Sequence, residues 1–208
     1  MKKLFTQNLY FFFPYSLFLV TGGLLILLKS KAETHLFFNS FHNNSADLFF
    51  QHITFLGDGI FALIITIVFL ALLKYRYAFV IFVSYAFSSL VTQLLKHTLF
   101  SDTVRPKKFF ENTDSLYFIK EIETYSYNSF PSGHSTTAFA LFFCLAVFAK
   151  NNYIKLIMFS LALTISFSRV YLSQHFFGDI YAGSLVGITG AYFSVFFTEK
   201  YFANSLKK

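Results

Sequence analysis

The chain has 208 residues, a mean hydropathy of +0.56 and only 13% charged residues, which excludes an ordinary soluble domain of this size. Its 33 Phe side chains present more aromatic surface than the core of a small soluble protein can bury, whereas a bilayer can solvate them. The formal net charge of +7 does not indicate nucleic-acid binding, because the basic residues are spread over short segments between apolar runs. The composition therefore favours an integral membrane protein.

The apolar runs predict an all-α bundle of about six transmembrane helices. In chain order the predicted spans are Leu9–Leu28, Ile60–Leu73, Tyr77–Leu95, Ser132–Ala149, Ile154–Leu172 and Asp179–Thr198. The first run is longer than the apolar core of a signal peptide and no small-residue cleavage site follows it, so we expect an uncleaved helix. The second is short unless it begins near Ile53 with Asp58 inside it, which leaves five spans as the alternative. Without internal repeats or linkers, residues 1–208 are predicted to form one domain.

Two segments between the predicted spans are long. Residues 29–59 are rich in His, Asn and Phe, which predicts a stretch lying on the bilayer surface. The histidines of this stretch lack metal-ligand spacing and Cys partners, which favours polar roles at the interface; they are His35, His42 and His52. Asp58, between two glycines, is interpreted as a helix cap, with a position lining a site as the alternative. Residues 107–130 are predicted to form either a membrane-facing lid or a solvated loop.

Charge between the spans predicts the orientation in the membrane. With a cytoplasmic N-terminus, the inner segments contain one acid, Glu199, and most of the lysines. The inner cations are Lys2, Lys3, Lys74, Arg76, Lys150, Lys155, Lys200, Lys207 and Lys208. We therefore expect a multi-pass protein of a bacterial inner membrane, with both termini cytoplasmic and the polar signatures described next on the periplasmic or extracellular side.

Three polar signatures lie at the ends of apolar runs. They are Lys96…Arg105-Pro106, Pro131-Ser132-Gly133-His134 and Ser168-Arg169…His175…Asp179. Ionisable residues are costly to place at the ends of membrane helices, so three cations, two imidazoles and a carboxylate on one side of the membrane predict a functional site.

The second signature has the composition of an anion-binding helix N-terminus. Ser132 is a favoured N-cap, Gly133 permits close backbone approach, and the first-turn N–H groups and the helix dipole attract negative charge. His134, in the first turn, can donate a proton to a leaving oxygen. An ordinary Ser-capped helix is the alternative if this signature is taken alone.

The third signature places His175 and Asp179 four residues apart, on one face of a helix. A carboxylate behind an imidazole fixes its tautomer and supports the cation that forms when the other nitrogen acts as a nucleophile. Arg169 can clamp phosphate with a planar fork of donors, and Lys96 and Arg105 add two more cations. The alternatives are a structural His–Asp pair and a basic anchor at the membrane boundary. Together the residues suit in-line displacement at phosphorus, which requires neither metal nor cofactor here.

These signatures resemble the type 2 phosphatidic acid phosphatase (PAP2) superfamily, whose pattern is Lys-x6-Arg-Pro, Pro-Ser-Gly-His and Ser-Arg-x5-His-x3-Asp. The resemblance spans about residues 90–185 and implies a PAP2-like membrane bundle. The second and third parts match at full spacing, but eight residues rather than six separate Lys96 from Arg105. Lys107 or Lys108 are therefore alternatives for the first-motif lysine.

The resemblance also implies a role for each site residue. His175 attacks phosphorus and forms a phosphohistidine, Asp179 orients His175, and His134 protonates the leaving group and then activates water. The phosphate oxygens are held by Lys96, Arg105, Ser132, Gly133 and Arg169. Because His175 must start neutral and His134 charged, a bell-shaped pH–rate profile is expected.

The predicted function is that of an integral membrane lipid phosphatase acting at the outer face. Candidate substrates are undecaprenyl diphosphate, phosphatidylglycerophosphate, phosphatidic acid and a lipid A phosphate; nucleic acid is not expected as a partner, and the oligomeric state stays open. A phosphotransferase with the same site is an alternative within enzymes. A non-catalytic lipid-binding or transport protein is the alternative from another class, and the intact set of His134, His175 and Asp179 argues against it.

Overall fold

The computed structural model describes residues 2–113, 116–120 and 122–205, and every regular element in them is helical. The helices are α1 (Lys2–Gln7), α2 (Leu9–Leu28), α3 (Lys31–Asn39), α4 (Asn44–Ile53), α5 (Gly59–Ala71), α6 (Tyr75–Thr98), α7 (Pro106–Phe109), α8 (Gly133–Phe148), α9 (Asn152–Tyr171) and α10 (Phe177–Ser205). A 3₁₀ turn, Thr54–Gly57, joins α4 to α5. Two cations that set the predicted orientation, Lys207 and Lys208, lie outside the described residues.

Within the described residues, four helices are long and apolar enough to cross a membrane: α2, α6, α9 and the first 24 residues of α10. A fifth candidate span consists of Asn44–Gly57 and Gly59–Ala71, which meet at an angle of 57°. The second predicted span, Ile60–Leu73, therefore corresponds to α5. The helical segment before the bend begins at Asn44 and not near Ile53, where the alternative prediction placed the start of the span. The predicted count of six depends on α8, which has 16 residues. The bundle is all-α, as predicted.

Helix α8 is short because it lies at the centre of the bundle. Its side chains are buried around nearly the whole circumference, and it packs against α6, α9 and α10. A helix that is apolar all round belongs in a core. Cys144, predicted to be a buried small hydrophobe, is fully buried and unpaired in this helix. The position of α8 brings its N-terminus to the end of the bundle where the polar signatures meet.

Phe side chains join α2 to this core. Phe11 is fully buried, and its ring centroid lies 5.2 Å from that of Phe143 and 5.7 Å from that of Phe159. Edge-to-face pairs at these distances contribute about 0.5–1.5 kcal/mol each beyond their area burial. Other Phe side chains face outwards, among them Phe13 at 74% exposure. The high Phe content thus serves both the core and the lipid-facing surface.

Three glycines let α10 approach its neighbours closely. A Cβ built on Gly183 would lie 2.6 Å from the carbonyl oxygen of Ser132. A Cβ on Gly187 would collide with the carbonyl oxygen of Thr136, and one on Gly190 with the hydroxyl of Ser88. Small residues at such contacts are typical of membrane helix pairs. Here Gly183 and Gly187 allow α10 to lie directly against the start of α8, and Gly190 allows it to lie against α6.

Residues 29–59 do not form a simple surface stretch, which corrects the sequence interpretation. Helices α3 and α4 cover the end of the bundle. Two polar residues of α3, His35 and Asn39, are buried. His35 Nε2 lies 3.1 Å from the Ser173 hydroxyl, and the amide of Asn39 donates to the same oxygen at 3.2 Å. Burial lowers the pKa of His35 to about 4, so it is neutral at pH 7. This pair holds Ser173, whose φ of 52° is left-handed, two residues before His175.

The same layer fixes the long segment between α7 and α8. The carboxylate of Asp47 accepts hydrogen bonds from the hydroxyls of Tyr171 (2.6 Å) and Tyr117 (3.1 Å), and His42 lies 2.8 Å from it. His42 is therefore buried in a polar network rather than free at the interface. Of the two alternatives for residues 107–130, a free solvated loop does not fit these contacts. The described part of this segment packs on α3, α4 and α9 and lies over the polar end of the bundle.

Candidate active site

All three signatures meet at one end of the bundle. Lys96 comes from the last turn of α6, Arg105 precedes α7, Arg169 lies in the last turn of α9, and His175 lies in the turn before α10. These four side chains are close enough for the three cations to influence the titration of His175. Ser132, Gly133 and His134 are at the start of α8, and Asp179 is in the first turn of α10. Every residue predicted for the site therefore lies in one region.

His175 and Asp179 form the predicted pair, but they do not share a helix face as predicted, because His175 lies in the turn before α10 and only Asp179 lies in the helix. His175 Nδ1 lies 3.3 Å from Asp179 Oδ2, and both side chains are buried. The same carboxylate oxygen accepts hydrogen bonds from the Ser129 hydroxyl at 2.5 Å and the Phe176 backbone N–H at 2.9 Å. With its orientation fixed from three sides, the carboxylate favours the tautomer that carries the proton on Nδ1. The Nε2 lone pair is then left free on the other side of the ring.

The surroundings of His175 keep it neutral. Burial lowers its pKa well below the usual value, and the positive charges of Arg105, Lys96 and Arg169 lower it further. Because the folded-state pKa is depressed, the neutral imidazole persists from neutral pH down to well below pH 6.5. The neutral imidazole, the form that a nucleophilic role requires, is thus already present at neutral pH.

Lys96 lies at the site despite the longer spacing to Arg105. Its ammonium donates to the Asn128 carbonyl at 2.9 Å and lies near Arg105, Asp179 and Arg169. Lys107 instead faces the Thr124 carbonyl at 3.4 Å, and Lys108 pairs with Glu111. These positions favour Lys96 over the two alternatives for the first-motif lysine. The two extra residues are absorbed between the end of α6 and Pro106.

Arg105 joins the two loops that bear the site. Its Nε donates to the Tyr127 carbonyl at 2.9 Å, one Nη donates to the Gln174 carbonyl at 3.1 Å, and its backbone N–H donates to the Ser126 carbonyl at 2.9 Å. The guanidinium therefore fixes the segment before Ser129 relative to the residue before His175. A phosphate bound beside these donors would meet a rigid arrangement.

The start of α8 has the predicted geometry. The Ser132 hydroxyl accepts from the Ser135 backbone N–H at 3.4 Å, which makes Ser132 the N-cap. The Ser132 backbone N–H donates to the Asp179 carbonyl at 3.0 Å and so joins the α8 and α10 parts of the site. A Cβ on Gly133 would meet nothing within 4 Å, so its backbone borders open space. The backbone N–H groups of Gly133 and His134, at the first two helical positions, have no intrahelical acceptors and are available to an anion.

Arg169 and His134 line a cavity of about 380 Å³ together with Thr54, Asp58, Tyr125 and Gln174, among others. Arg169 donates to the Thr54 hydroxyl at 2.8 Å, while its buried Nε has no hydrogen-bond partner among the described residues. His134 Nε2 lies 3.9 Å from Asp58 Oδ2. Asp58 is also the N-cap of α5, so both interpretations of this residue hold. Within the described part of the chain, no group of three or more His, Cys, Asp or Glu side chains is arranged to hold a metal ion.

The sequence did not indicate Ser129, Thr54 or the reach of Asp58 to His134. Each is brought to the site from a different segment, and none stands at a fixed spacing from a signature residue. Only the position of Ser129, two residues before Pro131, could have suggested that it lies close to the site.

Replacing Ser129 with Ala is expected to lower kcat about tenfold while changing KM little, because the hydroxyl acts on Asp179 and not on substrate. A net loss of about 1.5–3 kcal/mol is typical when a hydrogen bond to a charged group is removed. Steady-state kinetics of the purified protein would test this, with Ser101→Ala, an exposed serine in a neighbouring turn, as the control. Equal kinetics for wild type and Ser129→Ala would contradict the assigned contact.

The PAP2 superfamily model matches residues 77–202, more than half of the chain, so this protein belongs to the PAP2 superfamily. The fold agrees with that assignment. The crystal structure of Aquifex aeolicus LpxE is similar over 79% of this chain and 93% of its own, with a TM-score of 0.69 and 24% identity. A transmembrane PAP2 type phosphatidylglycerolphosphate phosphatase from Bacillus subtilis covers 93% of this chain and 96% of its own, with a TM-score of 0.70 and 21% identity.

A curated relative is the lipid A 4'-phosphatase of Bacteroides thetaiotaomicron, 31% identical over 71 residues. The match covers 34% of this chain and 32% of that protein, so it spans about a third of the relative's length. Together with the apolar helices, the family and the fold identify a multi-pass membrane protein of the PAP2 type.

Proposed function

We propose that this protein is a membrane lipid phosphatase that hydrolyses a phosphate ester or diphosphate through a phosphohistidine intermediate. The observation that supports this most directly is the buried His175–Asp179 pair, 3.3 Å apart, within reach of Lys96, Arg105 and Arg169. A neutral imidazole with an oriented carboxylate behind it is a nucleophile, and the cations counter the charge on the three equatorial oxygens.

The proposed reaction has two steps. In the first, His175 Nε2 forms a bond to phosphorus as the bond from phosphorus to the leaving oxygen breaks, and His134 gives its proton to that oxygen. In the second, neutral His134 takes a proton from water, whose oxygen attacks phosphorus and displaces His175. Lys96, Arg105, Arg169 and the backbone N–H groups at Gly133 hold the equatorial oxygens in both steps. The side chain of Ser132 contributes through the helix cap.

We further propose that the site faces the periplasmic or extracellular side and that both termini are cytoplasmic. The excess of Lys and Arg in the opposite segments supports this orientation. Exposed aromatic side chains near the site, such as Tyr125 and Tyr127, suit the headgroup region of a bilayer. A lipid phosphate could thus reach the site while its tails remain in the membrane.

The names of the similar proteins narrow the substrates worth testing first. Lipid A phosphate and phosphatidylglycerophosphate come first, followed by phosphatidic acid and undecaprenyl diphosphate. We expect the purified protein to release inorganic phosphate from at least one of these lipids in detergent with excess chelator present. Phosphate release from none of them, or release only after a metal is added back, would contradict the proposal.

Product analysis in the same assay separates hydrolysis from transfer. Hydrolysis in ¹⁸O-water puts one ¹⁸O into the released phosphate, whereas a phosphotransferase puts the phosphoryl group on the added acceptor. We expect labelled inorganic phosphate. A phosphorylated acceptor lipid or sugar as the main product would assign the alternative activity.

A further inference from the structure

The break between α4 and α5 forms one wall of the cavity beside His134. It comprises the 3₁₀ turn Thr54–Gly57, Asp58 and Gly59, and it lies before residue 77, where the family match begins. The three sequence signatures contain none of these residues. The break is nevertheless the only described interruption that bends a candidate span by more than 40° at so short a connection.

Three residues of the break contact different parts of the site. Thr54 accepts a hydrogen bond from Arg169 at 2.8 Å. A Cβ on Gly57 would lie 2.7 Å from the Ile165 side chain and 3.1 Å from the His134 carbonyl oxygen, so no larger residue fits between them. Asp58 uses Oδ1 to cap α5 through the Ile60 backbone N–H at 2.8 Å, which leaves Oδ2 facing His134. The cap therefore fixes the orientation of the carboxylate.

The charges around His134 make this carboxylate important. Arg169 lines the same cavity as His134, as does one further acid, Glu123. Arg105 and Lys96 lie at the same end of the bundle, and a cation nearby disfavours a further positive charge on the ring. Asp58, at 3.9 Å, is the carboxylate that pairs with His134 among the described residues. The Asp179 carboxylate is instead occupied by Ser129, Phe176 and His175. Without a negative charge nearby, His134 would have to become an imidazolium within a cluster of cations.

We propose that Asp58 is a positioning residue that stabilises the imidazolium form of His134, so that His134 enters the first step with the proton the leaving oxygen needs. This inference rests on the proposed phosphatase function. The proton moves from His134 to the leaving oxygen as the bond between phosphorus and that oxygen breaks. Asp58 therefore sets the pH range in which the general acid is available.

The test is Asp58→Asn, because Asn is an equally good N-cap and only the charge is lost. We expect the alkaline limb of the kcat/KM profile to move to lower pH by about one unit, the small end of the effect of an opposite charge within 4–6 Å. At pH 8, phosphate release from a lipid alkyl phosphate should fall about tenfold. Asp102→Asn, which removes an exposed acid outside the cavity, should leave the profile unchanged.

The nature of the leaving group separates this role from a purely structural one. A nitrophenolate leaves without protonation, so cleavage of p-nitrophenyl phosphate should change less than about threefold in Asp58→Asn. Asp58→Glu, which retains the charge, should restore most of the alkaline limb. Asp58→Ser offers a second neutral cap if Asp58→Asn melts at a lower temperature than wild type.

An unchanged alkaline limb in a folded neutral variant, or equal losses with aryl and alkyl phosphates, would overturn the assignment of Asp58. That result is distinct from failure of the proposed function, which would appear as absence of phosphate release from wild type. An active wild type with an indifferent Asp58→Asn variant rejects only the role of Asp58.

Discussion

His175→Asn is expected to lower phosphate release by at least about 10³-fold, since removal of a nucleophile eliminates the covalent route. Asn is also polar, and His175 is only 2% exposed, so this substitution should affect the chemistry more than the folding. The measurement is single-turnover phosphate release, together with trapping of phosphoenzyme under alkaline conditions, where phosphohistidine survives. Wild type should give a trapped, acid-labile phosphoprotein, and the variant should give none.

His97→Asn is the matched control, because His97 is exposed in the last turn of α6 beside Lys96 and contacts no predicted site residue. It should keep wild-type rates. If His175→Asn retained more than a tenth of the activity, or still gave a trapped phosphoenzyme, the nucleophile would have to be assigned elsewhere. Retained lipid binding without phosphate release in wild type would instead favour the non-catalytic alternative.

Gly183→Ala is expected to destabilise the protein although it adds only one methyl group. The added methyl would lie 2.6 Å from the Ser132 carbonyl oxygen and 3.0 Å from Ser135 Cβ, and neither atom belongs to a flexible side-chain end. Overpacking of this kind costs about 1–3 kcal/mol. For a chain of about 200 residues this corresponds to a fall in Tm of several degrees. Thermal unfolding in detergent measures it.

Activity should fall further than stability, because Ser132 caps the helix that presents Gly133 and His134 to substrate. A displacement of 1 Å in a catalytic group can cost about 10²-fold in rate. Gly178→Ala provides the control: it is the same substitution in the same helix, at a position where a Cβ meets nothing within 4 Å. Equal Tm and rate for the two variants would contradict the close α8–α10 contact.

The signature residues could be predicted from sequence because their chemistry depends on local spacing. His175 and Asp179 are only four residues apart in the chain, so they meet although His175 lies in the turn before α10, and Ser132 caps the helix that it begins. Lys96 was harder to predict, because two inserted residues change its spacing to Arg105 while its side chain still reaches the site. All eight predicted site residues lie at one end of the bundle, although their individual roles remain predictions.

Residues that act through tertiary contacts could not be found in this way. Ser129 is 50 residues from Asp179, and His35 is 138 residues from Ser173, so no periodicity relates them. The bent second span was obscured because the polar residues Asp47, Gln51 and His52 in α4 lower its hydropathy. His35 and His42 were predicted to have polar roles at the membrane interface for the same reason: the α3–α4 layer that covers them is itself polar in sequence.

The site has a charge balance that bears on product release. Lys96, Arg105 and Arg169 carry three positive charges and Asp179 one negative charge, so with a neutral His175 the pocket around His175 is dipositive. A phosphate monoester and free inorganic phosphate are both anions near neutral pH, so the pocket attracts both. Electrostatics alone therefore cannot distinguish the lipid phosphate substrate from the inorganic phosphate product. Selectivity for the substrate must come from its lipid part, which the bilayer keeps close to the site. Inorganic phosphate is expected to be the product that leaves more slowly.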